Sequence, residues 1–264
     1  MCIYKRITAF SNPLGTWKIG KQTGTRPLRM PALLGALLCA AALLAIPGKA
    51  LAQAQKPYPA GIIWLPQADT VQHRIELSHW PEWQYSFVDG IRLRTAWNVV
   101  QPTSTTYDWS NIDLALSLAA QNGMKVGVSI GSGIATPQWV YDNGATQYQL
   151  LDGSGNSMPI PWERAYYNQW LDFVRTFGAR YDSNPTLAYV IITGFMQRNG
   201  MFLADGQDEI NLTANATQHG FADLSTAYLF AAETITSAIM VAFPTTACII
   251  TMQAPFPEIG RAHV

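Results

Sequence analysis

Three residues at the end of one predicted strand have side chains suited to binding a hydroxyl-bearing ligand. Arg94 carries a positive charge, Trp97 offers an aromatic face and Asn98 offers an amide. A guanidinium group can orient a carboxylate or a hydroxyl, and an aromatic face can stack on the apolar side of a ring. Two structural alternatives stay open, because Arg94 could form a core ion pair and Trp97 could pack half-buried under the following loop.

One predicted βαβ unit positions these residues. Residues 87–96 alternate as a strand does, residues 110–121 have apolar positions on one helical face, and residues 125–131 form the next strand. Ser110 and Asp113 have the spacing of a capping box at the start of that helix. Trp97 and Asn98 therefore lie at the carboxyl end of a strand, which is the edge that carries chemistry in α/β barrels.

The other predicted elements continue the alternation of strands and helices. We predict strands at 61–65, 187–193 and 245–252, helices at 162–181 and 223–242, and long loops at 132–161 and 194–221. The fold class is α/β of the (β/α)8 TIM-barrel type, incomplete, with about five βα units where eight close a barrel.

Several motifs resemble those of a known enzyme superfamily. They are Arg94-x-x-Trp97, Pro102, the run from Tyr107-Asp108-Trp109 to Asp113, and Pro137-Gln138-Trp139. They resemble the retaining glycoside hydrolases built on a (β/α)8 barrel, and most of all the β-galactosidase-type families 42 and 35. The resemblance covers residues 61–257. It implies retaining hydrolysis of O-glycosidic bonds and a carbohydrate as substrate.

The resemblance also implies where two catalytic carboxylates should lie. The acid/base follows the fourth strand, usually directly after an Asn, and the nucleophile ends the seventh strand, which this chain lacks. Asn199 is present, but Gly200 and Met201 stand where the family places Glu. The nearest carboxylates are those of Asp205, Asp208 and Glu209. Glu209 is the candidate acid/base, with a solvated loop acid as its alternative.

Trp139 has the strongest claim to contact the substrate, because the resemblance places a substrate-facing aromatic residue near it. The predicted substrate-binding residues are Arg94, Trp97, Asn98, Trp139 and Asn199. We interpret Glu163 as structural, because a carboxylate in a first helical turn is favourable for the helix dipole. The His and Cys spacings match no metal site, and we expect neither a metal nor a cofactor.

The first 52 residues have the organisation of a secretory signal peptide. They contain seven of the 17 Lys and Arg and none of the Asp and Glu, followed by an apolar run from Pro31 to Pro47 and a small-x-small site at Ala50-Leu51-Ala52. Removing them leaves 10 basic and 17 acidic residues, an acidic chain poorly suited to nucleic acid or anionic membrane. We expect export to the periplasm or the exterior, with no membrane attachment after cleavage. The sequence does not indicate an oligomeric state.

These features divide the chain into three segments. They are a signal peptide with a long n-region at 1–52, the N-terminal part of a glycosidase-like barrel at 53–257, and a tail at 258–264. The tail matches the translation of a common sequencing adapter, so we expect it to be non-native and the natural chain to continue with three more strands.

Two functions are compatible with the sequence. The first is a secreted, β-galactosidase-like glycoside hydrolase that is truncated in this form, and the truncation can leave it inactive. The second is a barrel that binds carbohydrate without cleaving it, suggested by Gly200 and Met201 in place of the acid.

Overall fold

The computed structural model describes residues 54–66, 71–195 and 206–250. The strands are β1 (Ile63–Trp64), β2 (Gly90–Ala96), β3 (Lys125–Gly131), β4 (Gln147–Gln149), β5 (Ser157–Pro159), β6 (Leu187–Ile191) and β7 (Ala247–Ile249). The helices are α1 (Val71–Leu77), α2 (Trp97–Val100), α3 (Ser110–Gln121), α4 (Gln138–Asp142), α5 (Arg164–Tyr181), α6 (Gly206–Gln218) and α7 (Leu224–Ala242). The predicted signal peptide and the predicted adapter tail lie outside the described residues.

Five parallel strands form the main sheet, in the order β1-β2-β3-β6-β7. Strand neighbours follow the chain order, and a helix lies between each of the pairs β2/β3, β3/β6 and β6/β7. This is the arrangement of an incomplete (β/α) barrel, so the predicted fold class is confirmed. The strands β4 and β5 form a separate antiparallel hairpin in the connection after β3.

The two faces of the sheet differ in character. Ile91, Leu93 and Val128 belong to the large apolar core between the sheet and the helices. Alternate residues of the same strands, including Arg92 and Arg94, point to the opposite face, which corresponds to the interior of a barrel. Leu93 therefore faces the helices and Arg94 faces the interior.

Gly127 allows the inner face to be filled by an aromatic ring. It lies between Arg92 and Tyr189 in the strand register. A Cβ atom on Gly127 would stand 2.0 Å from the Tyr189 ring, well inside van der Waals contact. The glycine is therefore required for Tyr189 to lie across β3.

Some local expectations were wrong. The capping box is not formed, because Ser110 is already helical, Trp109 is the N-cap residue and no side chain caps it. Asp113 instead accepts hydrogen bonds from the Tyr181 hydroxyl at 2.6 Å and from Arg180 at 2.7 Å. The predicted loop at 194–221 contains α6, and the loop at 132–161 contains α4 and the β4–β5 hairpin.

The helix α7 begins where its sequence indicates. Asp223 is the N-cap residue and accepts a hydrogen bond from the Thr226 amide at 2.7 Å. Within the described residues, α7 is the one helix with the length and apolar composition of a membrane span. Its Ala227, Ala231 and Ile235 are nevertheless fully buried in the core, so one face of α7 is a core face.

A buried carboxylate joins the connections at the amino end of the sheet. Asp182 follows α5 and is 7% exposed. It accepts hydrogen bonds from the Thr246 amide at 2.9 Å, the Thr245 hydroxyl at 2.8 Å and the Thr245 amide at 3.2 Å. The Lys56 ammonium donates nearby to the Asn184 and Leu187 carbonyls, and burial lowers its pKa. Asp182 thus ties α5 to the start of β7.

We expect Asp182→Ala to lower the free energy of unfolding by about 2–4 kcal/mol, because it leaves two buried amides without an acceptor. Urea unfolding followed by circular dichroism measures this change. The matched control is Asp172→Ala, because Asp172 is 68% exposed and its ion pair within the described residues is with Arg175, three positions along α5. Its expected effect is within about 0.5 kcal/mol. Equal effects of the two variants would contradict the structural role of Asp182.

Candidate active site

The carboxyl ends of β2, β3 and β6 meet at one edge of the sheet. Ala96 lies beside Gly131 in the strand register. The Thr193 hydroxyl, two residues after β6, donates to the Ile130 carbonyl at 2.7 Å and joins the ends of β3 and β6. The residues that follow these strands are therefore neighbours, as the βαβ pattern predicts.

Arg94 lies on the inner face of the sheet near this edge, and its binding role stays a prediction. It lies beside Ser129 in the register, on the inner face and two residues before the end of β2. Its Nε–H group is buried and donates to no hydrogen-bond acceptor among the described residues. No carboxylate of the described chain pairs with Arg94, so the alternative of a core ion pair finds no support there.

Trp97 is a core residue. Its side chain is 0% exposed and its ring contacts those of Trp170, Trp139 and Phe173 at centroid distances of 4.9, 5.7 and 5.7 Å. Its indole N–H donates to the Gln101 side chain at 2.9 Å. With its ring fully buried and its indole N–H hydrogen-bonded, Trp97 has no surface for a ligand. The predicted stacking role is therefore corrected to the packing alternative, and the burial is complete rather than partial.

Trp139 and Asn98 keep exposed surface. Trp139 is half-buried, meets Trp97 edge to face, and donates its indole N–H to the Gln101 carbonyl at 3.1 Å. Asn98 is exposed in the first turn of α2. The structure thus brings Trp97 and Trp139 together, with Trp139 as the outer ring, and the binding roles of Trp139 and Asn98 stay predictions.

The predicted acid/base region is described only in part. Asn199, Gly200, Met201 and Asp205 lie outside the described residues. Glu209 lies in the first turn of α6 and not in a loop, and its exposure is compatible with the alternative of a solvated acid. Its catalytic role stays a prediction.

Asp208, the neighbour of Glu209, has a structural role. It is 5% exposed and accepts hydrogen bonds from the Tyr148 hydroxyl at 2.6 Å and from the Leu151 amide at 3.2 Å. Burial, reinforced by this bond to Asp208, raises the pKa of Tyr148 to about 12. The carboxylate thus attaches the start of α6 to the β4–β5 hairpin.

Gly194 shapes the backbone between β6 and this region. Its φ is +111°, and a Cβ atom there would stand 2.1 Å from the indole nitrogen of Trp170. Its carbonyl accepts a hydrogen bond from the Tyr166 hydroxyl in the first turn of α5. Both the conformation and the close approach require glycine, so the chain leaving β6 is fixed by α5.

The Tyr107-Asp108-Trp109 motif is structural. The Tyr107 and Trp109 rings stack with their centroids 5.2 Å apart, and the Trp109 ring also stacks on that of Phe177 at 6.0 Å. Asp108 accepts from Ser110 and from Arg74, and these hydrogen bonds, first that of Ser110, lower its pKa. The motif therefore fixes α3 against α5, which explains how it can indicate a fold without indicating a substrate.

Sequence reasoning missed one group of polar residues outside this edge. Glu163 does not cap α5 with its side chain; it lies 3.4 Å from His219 Nε2 and accepts from the Thr146 amide at 3.2 Å. No sequence spacing relates Glu163 to His219, because α5 and α6 are distant along the chain. Among the described residues no three His, Cys, Asp or Glu side chains are grouped so as to hold a metal ion.

Comparison with known proteins finds a family match for the segment that contains the strands of this edge. Residues 81–193, which include β2, β3 and β6, match the model of the glycoside hydrolase family 42 β-galactosidases. The match confirms the β-galactosidase-like resemblance over this segment. No curated protein matches the chain.

Several solved structures are similar to the chain at low identity. The β-galactosidase of the psychrophile Marinomonas ef1 is 10% identical with a TM-score of 0.47, over 73% of this chain and 37% of that one. The β-galactosidase of the haloarchaeon Halorubrum lacusprofundi is 15% identical with a TM-score of 0.43, over 73% and 36%. A Pseudomonas stutzeri endoglucanase is 14% identical with a TM-score of 0.40, over 76% and 54%. The chain thus spans between about a third and about half of these proteins.

Proposed function

We propose that this chain, whose residues 81–193 are a β-galactosidase-like glycoside hydrolase segment, comes from a secreted enzyme that hydrolyses β-galactosides with retention. The observation that supports the proposal is the position of Arg94 within the matched segment. Its guanidinium lies on the inner face, near the carboxyl edge of the sheet, without a carboxylate partner in the described chain.

A retaining mechanism assigns distinct roles to the residues at this edge. One carboxylate protonates the leaving oxygen while a second, about 5–5.5 Å away, attacks the anomeric carbon. Arg94 can hold the attacking carboxylate or a sugar hydroxyl in position through its paired N–H groups. Trp139 supplies an aromatic face beside the site, and Glu209 is the candidate acid/base.

The first experiment is to read the source locus onward from the codon for Pro257 and to express the natural protein. A Glu at the end of the seventh strand, together with turnover of nitrophenyl β-D-galactopyranoside, would support the enzyme. NMR of the first-formed sugar should then show the β anomer. Turnover with the α anomer as first product would overturn the retaining mechanism.

Three single variants then test the acid/base. We expect Glu209→Gln to abolish turnover, and Asp205→Asn and Asp208→Asn to preserve it. Loss of turnover only in Asp205→Asn would move the role to that residue. Full activity of all three variants would remove Glu209 as the acid/base.

The second candidate is a barrel that binds galactosides without cleaving them. It is favoured by Gly200 and Met201 in the position of the family's acid. Calorimetric binding of lactose by the natural protein, without turnover of the nitrophenyl substrate, would select this function. Turnover by the purified protein would exclude it.

We also propose export through residues 1–52. Expression in a bacterium that exports Sec substrates is expected to release a chain that begins at Gln53. Edman sequencing of the periplasmic or extracellular fraction checks this site, and Ala50→Arg, which removes the small residue at the cleavage site, should retain the precursor. A cytoplasmic chain that still begins at Met1 would contradict the proposal.

A further inference from the structure

A cleft of about 540 Å³ lies beside the start of α5, the second turn of α7 and the residues that follow α6. Its wall includes Trp162, Glu163, Tyr167, His219, Phe221 and Phe230. None of the described residues on the inner face of the sheet lines it. Its wall is formed by the connections that follow β3 and β6, and Arg94 is not part of it.

A buried carboxylate forms the polar part of the cleft. Glu163 is 6% exposed, although no side-chain cap bond explains its position. Its Oε2 atom accepts from the Thr146 amide at 3.2 Å, and Oε1 lies 3.4 Å from both Asn215 Nδ2 and His219 Nε2. Asn215 is itself held by the Trp162 indole N–H at 2.8 Å. The carboxylate is therefore fixed in place, and the long contacts to Oε1 leave it able to accept a shorter bond.

An aromatic surface forms the other side. The Tyr167 and Phe230 rings meet at 6.1 Å, and the Phe221 and Phe230 rings meet at 5.4 Å. Phe230 is 39% exposed although it lies in a helix whose opposite face is core. Rings that line a cleft in this way offer apolar area next to hydrogen-bonding groups.

We propose that this cleft is a second saccharide-binding site that takes a neutral pyranose residue. A pyranose has an apolar face for Phe230 and Tyr167 and an edge of hydroxyl groups for Glu163 and His219. The Glu163 carboxylate opposes an anionic ligand. The His219 imidazole, 3.4 Å from Glu163, competes with a cationic ligand for that carboxylate, and Arg164 adds a second basic side chain to the lining.

The imidazole of His219 provides a direct probe, because its side chain is 42% exposed at the cleft and the sequence holds four His. Lactose is titrated into the full chain while the ring signals of the His residues are followed by NMR. His219→Asn assigns the signal. We expect a saturable shift of the His219 signal with lactose and none with choline, which is the cationic probe.

Two variants locate the binding event. Phe230→Ala should raise the lactose Kd about tenfold, which is the upper range for loss of one ring contact. Phe87→Ala is the matched control, because Phe87 is 61% exposed and lies outside the cleft. The Kd of this variant for lactose should be unchanged. Unchanged melting temperatures verify that both variants are folded. Equal effects of the two variants, or a response to choline in place of lactose, would overturn the proposal.

A third variant separates this cleft from the proposed active site. Arg94→Ala should leave the His219 response to lactose unchanged, because Arg94 does not line the cleft. Loss of the response in Arg94→Ala would show that His219 reports on the strand ends and would overturn the second site. Absence of galactoside turnover tests the enzyme proposal alone, since lactose binding at His219 does not require hydrolysis.

Discussion

Replacing Trp97 by alanine is expected to lower the free energy of unfolding by about 3–5 kcal/mol, the range for removal of a fully enclosed aromatic side chain. The ring is 0% exposed and lies among Trp139, Trp170 and Phe173. The substitution leaves a cavity at the junction of α2 with α5 and removes the donor to Gln101. Urea unfolding of the full chain measures the change.

The control for this prediction is Phe87→Ala, which also removes an aromatic ring. Phe87 is 61% exposed, so its replacement should change the free energy of unfolding by less than about 1 kcal/mol. A ligand-stacking Trp97 would behave differently, because its removal would weaken sugar binding with little change in stability. A Trp97→Ala chain as stable as Phe87→Ala would therefore contradict the core assignment.

The behaviour of Trp97 shows which part of the site was predictable. The alternation of apolar and polar residues predicted β2 and with it the carboxyl end of that strand. The βαβ pattern predicted that β2 pairs with β3. The direction of the first side chain after the strand was not predictable, because α2 begins at Trp97 without a loop. That turn directs the ring under α5, away from the inner face of the sheet.

The prediction of secondary structure succeeded where the signals were local. Asp223 caps α7 by accepting a hydrogen bond from the backbone amide three residues later, and the bounds of β3 agree with the predicted strand. The helix α6 was missed because its Asn and Thr residues have low helix propensity and only Leu212 and Ala216 give it an apolar repeat. Its position depends on packing against α7 and on the bond from Tyr148 to Asp208, which are tertiary contacts.

The roles of the acidic residues also depend on tertiary contacts that the sequence does not reveal. Asp113, Asp208 and Glu163 each have a role set by residues more than 15 positions away, namely Tyr181, Tyr148 and Thr146. Spacing along the chain therefore could not separate structural carboxylates from catalytic candidates. Burial removes Asp208 from the candidates near β6 and leaves Glu209 as the exposed carboxylate of that first helical turn.

Replacing Arg94 by alanine is expected to lower kcat/KM for nitrophenyl β-D-galactopyranoside on the order of 100-fold in the natural protein, the effect of losing one positioned donor near reacting charge. Arg94→Lys keeps the charge but loses the paired N–H groups, so about a tenfold loss is expected. Stability should change by less than about 1 kcal/mol, since Arg94 Nε makes no hydrogen bond in the described chain.

The control for Arg94 is Arg175→Ala, which removes an arginine from the exposed side of α5. Arg175 is 64% exposed and forms an exposed ion pair with Asp172, so kcat/KM should be unchanged. A fall in kcat/KM for Arg94→Ala that is matched by loss of folded protein would assign Arg94 to the core. An unchanged kcat/KM in a folded variant would remove it from the active site. A large fall in kcat/KM with an unchanged melting temperature would support the proposed role of Arg94 at the bound sugar or the attacking carboxylate.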